Sequence, residues 1–136
     1  MKTYFIDSNI LLRYVTADDR SQQAKALKLF QRAEKGQIRL VTGPPVFFEV
    51  AWTLRSAYEM PREQILQTLL TVMTLRGLKV TDAELVGAAL ETAFRTGREF
   101  ADAYVFELAR HEGADGIVTF NTRDFAKMGA ELYPLD

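Results

Sequence analysis

Cysteine is absent from the 136 residues, and histidine occurs once, at His111. Disulfides and thiolate metal sites are therefore excluded, and a multi-histidine zinc site cannot be built. Any bound metal must be held by oxygen donors, chiefly carboxylates, which favour Mg²⁺ or Mn²⁺. Long apolar runs are missing too: none approaches the roughly 18 uninterrupted residues of a membrane span. The N-terminal run Met1-Lys2-Thr3-Tyr4-Phe5-Ile6 meets Asp7 too early for a signal peptide. These absences predict a cytoplasmic protein with no membrane partner. There is no excess of basic residues either. Net charge is −1, from 17 Lys and Arg against 18 Asp and Glu. Bulk charge therefore does not mark a nucleic-acid binder. If a metal neutralised three of the acids, fifteen would remain against seventeen bases, leaving room for a basic surface beside an acidic site.

What is present is ordinary globular material: 48% hydrophobic and 26% charged residues. The length fits one domain over residues 1–136, with no repeat, low-complexity stretch or linker. Thr3 to Ile6 is a β-branched and aromatic run that predicts a buried strand. Asp7-Ser8-Asn9 supplies N-cap residues for a helix through Ile10, Leu11, Leu12, Tyr14 and Val15. Ala24, Leu27 and Phe30 mark a second helix, closed by Gly36. Ile38 to Val41 predicts strand two. Pro44-Pro45 then opens a helix reaching about Tyr58. A helix from Pro61 through Ile65, Leu69 and Val72 ends near Gly77, and Leu78 to Val80 predicts strand three. Thr81 or Asp82 caps a helix through Leu85, Ala89 and Phe94. Another helix runs from Phe100 to Arg110. Ile117 to Phe120 predicts strand four, and Leu132-Tyr133 a fifth, edge strand. The alternation implies a three-layer α/β/α sandwich around a parallel sheet of about five strands. Ligands of such sheets bind at the carboxyl ends of strands. That places attention on Asp7, Asn121 and Asp124.

Three acids stand alone in apolar runs. Asp7 follows strand one directly; the plain alternative is a helix cap, a duty that Ser8 or Asn9 could take instead. Glu49 is the only charge between Pro44 and Leu54. Phe47, Val50, Leu54 and Tyr58 line one face of that helix, and Phe48 and Trp52 another, which predicts a buried helix. A buried carboxylate is costly unless it is paired or binds metal. The plain alternative is an ion pair with Arg13 or Arg55. Asp102 is the only charge in Phe100 to Phe106. Glu99, three residues earlier, shares its helical face. Both sit where the helix dipole favours anions, which is the alternative reading for them. Clustered carboxylates raise one another's pKa, and a divalent cation removes that cost. Such an ion, keeping several waters, can activate one of them and stabilise charge on a phosphodiester. The acids Asp7, Glu49 and Asp102 are thus the candidate metal ligands. Asn121 could contribute a neutral oxygen, Thr119 could hydrogen-bond a carboxylate, and Asp124 is either a further acid or a turn cap. Arg123 and Lys127 could grip phosphate, with Arg13, Arg95 and Arg98 as further basic candidates. His111 lies at a helix C-terminus, where a cation is favourable without any catalytic duty.

The chain resembles PIN-domain ribonucleases, specifically VapC-like toxins of type II toxin–antitoxin systems. The likeness rests on four motifs in order: Phe5-Ile6-Asp7-Ser8-Asn9-Ile10-Leu11, the Glu49 helix from Pro45 to Arg55, Glu99-Phe100-Ala101-Asp102-Ala103, and Val118-Thr119-Phe120-Asn121 with Asp124-Phe125. The resemblance implies a five-stranded parallel sheet and Mg²⁺- or Mn²⁺-dependent endonucleolytic cleavage of RNA. It also implies homodimerisation and inhibition by a cognate antitoxin. Asp7, Glu49 and Asp102 carry over as its acids. The family often has a fourth acid where Asn121 stands here, so one metal through Asp7 and Asp102 is better supported than two. Three other readings remain. A Mg²⁺-dependent phosphatase of the haloacid-dehalogenase type needs a second aspartate where Asn9 stands. A receiver-type phosphotransfer domain needs a phosphoacceptor for which Asp82 is a weak candidate. A catalytically weak PIN-like domain that only binds RNA or a protein is the remaining alternative, and Asn121 is its motive.

Overall fold

A computed structural model describes residues 1–135. Backbone contacts divide it into two units, Met1–Ala83 and the segment beginning at Glu84. In the first unit the order is β1 (Thr3–Phe5), α1 (Ser8–Val15), α2 (Arg20–Glu34), β2 (Arg39–Thr42), α3 (Pro44–Ser56), α4 (Arg62–Met73) and β3 (Leu78–Val80). The strands form one parallel sheet in the order β1-β2-β3, with Tyr4 opposite Leu40 and Leu40 opposite Leu78. Parallel neighbours need long crossovers. Here α1 and α2 make the first, and α3 and α4 the second. α1 packs on α2 and α3, and α3 packs on α4. Leu11, Leu40, Phe47, Val50, Leu54, Leu66 and Leu69 are fully buried and form the centre of this unit.

Helix α5 (Ala83–Thr96) carries the chain into the second unit, followed by α6 (Phe100–His111) and α7 (Thr122–Lys127). Val86, Ala89, Leu90 and Ala93 on α5 and Ala103 on α6 are fully buried. Glu107 is buried as well, held by Thr92 Oγ1 at 2.9 Å and Arg110 NH1 at 3.2 Å.

Three expectations are corrected. The sheet has three strands among the described residues, not five. Strands four and five reduce to one parallel bridge between Ile117 and Leu132, made by Ile117 N donating to Glu131 O and Tyr133 N donating to Ile117 O. The ladder stops there for a local reason. Thr119 Oγ1 accepts from Asn121 N at 2.9 Å, a turn that competes with strand pairing and leads straight into α7. Second, α3 is not buried all round. Its buried face is Pro44, Val46, Phe47, Val50 and Leu54, whereas Trp52 is 70% exposed. Third, two apolar faces lie elsewhere than expected: Thr3, Tyr4 and Phe5 of β1 are exposed, with only Ile6 beyond it buried, and the inward stripe of α2 is Ala26, Phe30 and Ala33, with Leu27 turned outward. No helix among the described residues is long and apolar enough to cross a membrane.

The turn from α4 into β3 depends on Gly77. Its φ is +80°, and an added Cβ would meet the backbone carbonyl of Ala33. Its own carbonyl accepts from Leu40 N at 2.9 Å, so the turn sets the β2–β3 register. Gly77→Ala is expected to lower unfolding free energy by at least about 1–2 kcal/mol, the cost of a left-handed non-glycine residue, with the clash added. Denaturant titration measures this directly.

Candidate active site

Parallel pairing brings the carboxyl ends of β1, β2 and β3 to one edge of the sheet. Asp7 follows β1 there, and Gly43 starts α3 just after β2. Ile6 N donates to Val41 O at 2.9 Å, and buried Thr42 Oγ1 donates to Ile6 O at 3.2 Å. These bonds hold the peptide just before Asp7. Asp7 itself caps α1. Its Oδ1 accepts from Asn9 N at 3.1 Å and Ile10 N at 3.4 Å, so neither Ser8 nor Asn9 relieves it of that duty. The side chain is exposed, and its Oδ2 accepts no hydrogen bond among the described residues. One oxygen is thus engaged by the helix, and the other carries no hydrogen bond among the described residues.

Glu49 lies in the second turn of α3 and is exposed. The expectation of a carboxylate forced into an apolar helix interior is therefore overturned. Water solvates it, and burial exerts no pressure for a metal there. The pairing with Arg13 is not formed either, because Arg13 is engaged elsewhere. Its Nε donates to Gln22 Oε1 at 2.7 Å, and its NH1 lies 3.2 Å from Asp18 Oδ1. Tyr58 completes this clamp by donating its hydroxyl to Asp18 Oδ2 at 2.7 Å. That hydrogen bond is the main reason the Asp18 carboxyl sits below the ordinary range, with Thr16 and the Arg13 charge adding to it. Arg13 is thus a structural cation, not a free phosphate ligand.

In the second unit, Asp102 lies in the first turn of α6 and is half-buried. Burial pushes its pKa up, and the charges of Asp124 and Glu99 push it further, against a smaller opposing pull from Arg98. Glu99 is the N-cap residue of α6 and is exposed. Asp124 titrates the other way. The Asn121 side chain hydrogen-bonds it, and Arg98 NH1 approaches to 2.5 Å, so its pKa falls. Arg98 is therefore also committed. Arg123 and Lys127 on α7 are exposed, and Arg123 adds to the field that lowers Asp124. Thr119 serves the Asn121 backbone, as described above. His111 is exposed in the last turn of α6.

Within either unit, among the described residues, no three His, Asp or Glu side chains gather closely enough to hold an ion by themselves. The donor chemistry nevertheless suits a hard cation. All the acids offer oxygen, and Asp102 already bears the strain of crowded negative charge that a cation would relieve.

A family model described as the PIN domain matches residues 4–131. This chain belongs to the PIN-domain family. The match runs through Asp7, Glu49, Asp102, Asn121 and Asp124. Among curated proteins, none matches the PIN domain described here in sequence. Similar solved structures include Mycobacterium tuberculosis VapC20, titled a sarcin–ricin-loop-cleaving toxin. It has 20% identity and a TM-score of 0.41, over 90% of this chain and 92% of that one. At that similarity the family assignment rests on the family-model match alone.

What sequence reasoning missed in this PIN domain is mostly pairing at a distance. Arg13 and Asp18 are near enough in sequence for an ion pair to be foreseen. Tyr58, forty residues from Asp18, carries no such signal. Two outcomes are expected. Tyr58→Phe removes the main cause of the Asp18 shift, so the Asp18 pKa rises towards its ordinary value in an NMR titration. Asp102→Asn behaves oppositely to a usual acid-to-amide change. A carboxyl with a raised folded-state pKa is favourable when protonated, and that contribution is lost as pH rises through the folded pKa. The variant should therefore melt higher than the parent at neutral pH in EDTA. The gain should fade on acidification below the ordinary carboxylate range.

Proposed function

We propose that this chain is a metal-dependent endoribonuclease that hydrolyses RNA phosphodiester bonds, and that it is the VapC-like toxin of a toxin–antitoxin module. The observation that carries the reading is the PIN-domain match over residues 4–131, which takes in every acid of the candidate site. Asp7 and Asp102 are the proposed Mg²⁺ ligands, with Mn²⁺ as a substitute, and Glu49 assists as ligand or water-orienting base. The ion would supply an activated water and charge stabilisation at the phosphorus. The chain's own residues do the rest. The α1 backbone fixes Asp7 through one carboxylate oxygen, which orients the other. The raised pKa of Asp102 makes it easier to protonate, so acidification should weaken metal binding earlier than at an ordinary aspartate. Exposed Glu49 is free to accept a proton or orient water, and Arg123 and Lys127 are available to phosphate. An RNA substrate, a cognate antitoxin and a homodimer are the expected partners.

A second reading is favoured by one observation. Asn121, at the place of the family's frequent fourth acid, is neutral and engaged with Asp124. A PIN domain weak in catalysis would then act by binding RNA or protein.

One experiment separates them: incubate structured RNAs with and without Mg²⁺, comparing wild type, Asp7→Asn, Glu49→Gln and Asp102→Asn. Asparagine caps a helix as well as aspartate, so Asp7→Asn tests chemistry and not folding. Cleavage by wild type should require the metal and vanish in both asparagine variants. Glu49→Gln should lose about 10²–10⁴-fold if Glu49 serves as a base. Equal cleavage by the variants, or none by wild type, rejects the enzyme reading. Expression without an antitoxin should arrest growth for wild type and not for Asp7→Asn.

A further inference from the structure

A groove of about 620 Å³ runs between α1 and α2, wholly within the first unit. That volume lies within the span of small-ligand sites, about 300–1,000 Å³. Asp7, the N-cap of α1, and Asn9 in its first turn line it. Ile10, Ala26 and Leu29 give it an apolar floor, and Lys25 lines it from α2. Gln22, Lys25, Ala26 and Leu29 repeat at helical spacing, so one stripe of α2 makes one wall. Arg13 also lines the groove, but its charge is balanced by Asp18 and its position is set by Gln22. Lys25 is exposed and forms no ion pair among the described residues. The groove thus combines apolar side chains, one lysine in no ion pair among the described residues, and the carboxylate that caps α1.

We propose that this groove seats one unpaired nucleotide next to the phosphate that is cut, with Lys25 holding that nucleotide's own phosphate. The proposal rests on the RNA-cleaving reading above and adds the direction of the strand, from Asp7 towards Lys25. Charge decides the orientation. The Asp7 carboxylate repels a phosphate that comes without a cation, whereas Lys25 attracts one. The apolar floor suits the face of a base, and Asn9 with Gln22 supplies hydrogen-bonding edges. Asp7 itself can accept from a ribose 2′-hydroxyl, the group that marks RNA.

The test is fluorescence anisotropy of a dye-labelled single-stranded RNA bound to the full chain in EDTA, where no metal-dependent cutting competes. Lys25→Gln should weaken binding several-fold and reduce the slope of log affinity against log salt by about 0.7, the value of one single-strand phosphate contact. Lys35→Gln, the C-cap residue of the same helix and away from the groove, should change neither. The proposal is overturned if wild type does not bind the RNA, if Lys25→Gln binds like wild type, or if Lys35→Gln weakens binding equally. It is also overturned if Lys25→Gln keeps RNA binding and instead loses a protein partner. Binding that depends on Lys25 without any cleavage in Mg²⁺ would sink the enzyme reading and leave the groove standing. Cleavage with no dependence on Lys25 would do the reverse.

Discussion

The hydroxyl of Thr42 is completely buried and donates to the carbonyl of Ile6. Much else in the first unit depends on that junction. It closes the parallel pair of β1 and β2 just past the last strand residues, where Ile6 N already bonds Val41 O. The peptide entering Asp7 is therefore fixed before Asp7 caps α1. Thr42 O in turn accepts from Thr81 N at 2.9 Å, so the same residue also anchors the end of β3. One side chain and one carbonyl tie three strand ends together, and the helix starts that follow inherit their positions from it. A parallel sheet delivers this by geometry, because its strands all point their carboxyl ends the same way.

Electrostatics in the second unit divide labour between two acids. Asp124 has an amide and a guanidinium as neighbours, and they lower its pKa. Asp102 has burial and two other carboxylates as neighbours, and Arg98 only partly offsets them. Arg98 is spent mainly on Asp124, which leaves Asp102 with an uncompensated charge. Such a residue costs the folded protein something at neutral pH. Under the proposed metal-dependent reading that cost would have a use, since such a carboxylate gains most from a cation.

Much of this was legible in the residues, and the failures have physical causes. The helix ends at Gly36 and Gly77 were readable because both take positive φ, which glycine accommodates without strain. The cap at Asp7 and the proline start of α3 followed from the same local rules. Hydrophobic periodicity misled where an apolar side chain faces water. Trp52 made α3 look buried, and Leu27 displaced the apparent stripe of α2 by one position. β-branched residues at Val118 and Thr119 looked like strand. The Thr119 hydroxyl instead made a two-residue turn, a short-range bond that outcompeted distant pairing. Candidate acids were easy to name, but their burial was not: Asp102 is half-buried as expected, while Glu49 is in water. The engagement of Arg13 and Arg98 was only partly legible, because Tyr58 and Asp124, which complete their pairings, lie far along the chain.

Trp52 has one more consequence. It is the only tryptophan in the chain, it stands 70% exposed on α3, and it lies one helical turn from Glu49. An indole already in water changes its surroundings little when the core melts, but changes them greatly when something settles over it. The intrinsic fluorescence of this protein is therefore a poor thermometer and a good doorbell: it reports arrivals at the outer face of the glutamate helix, with no label added.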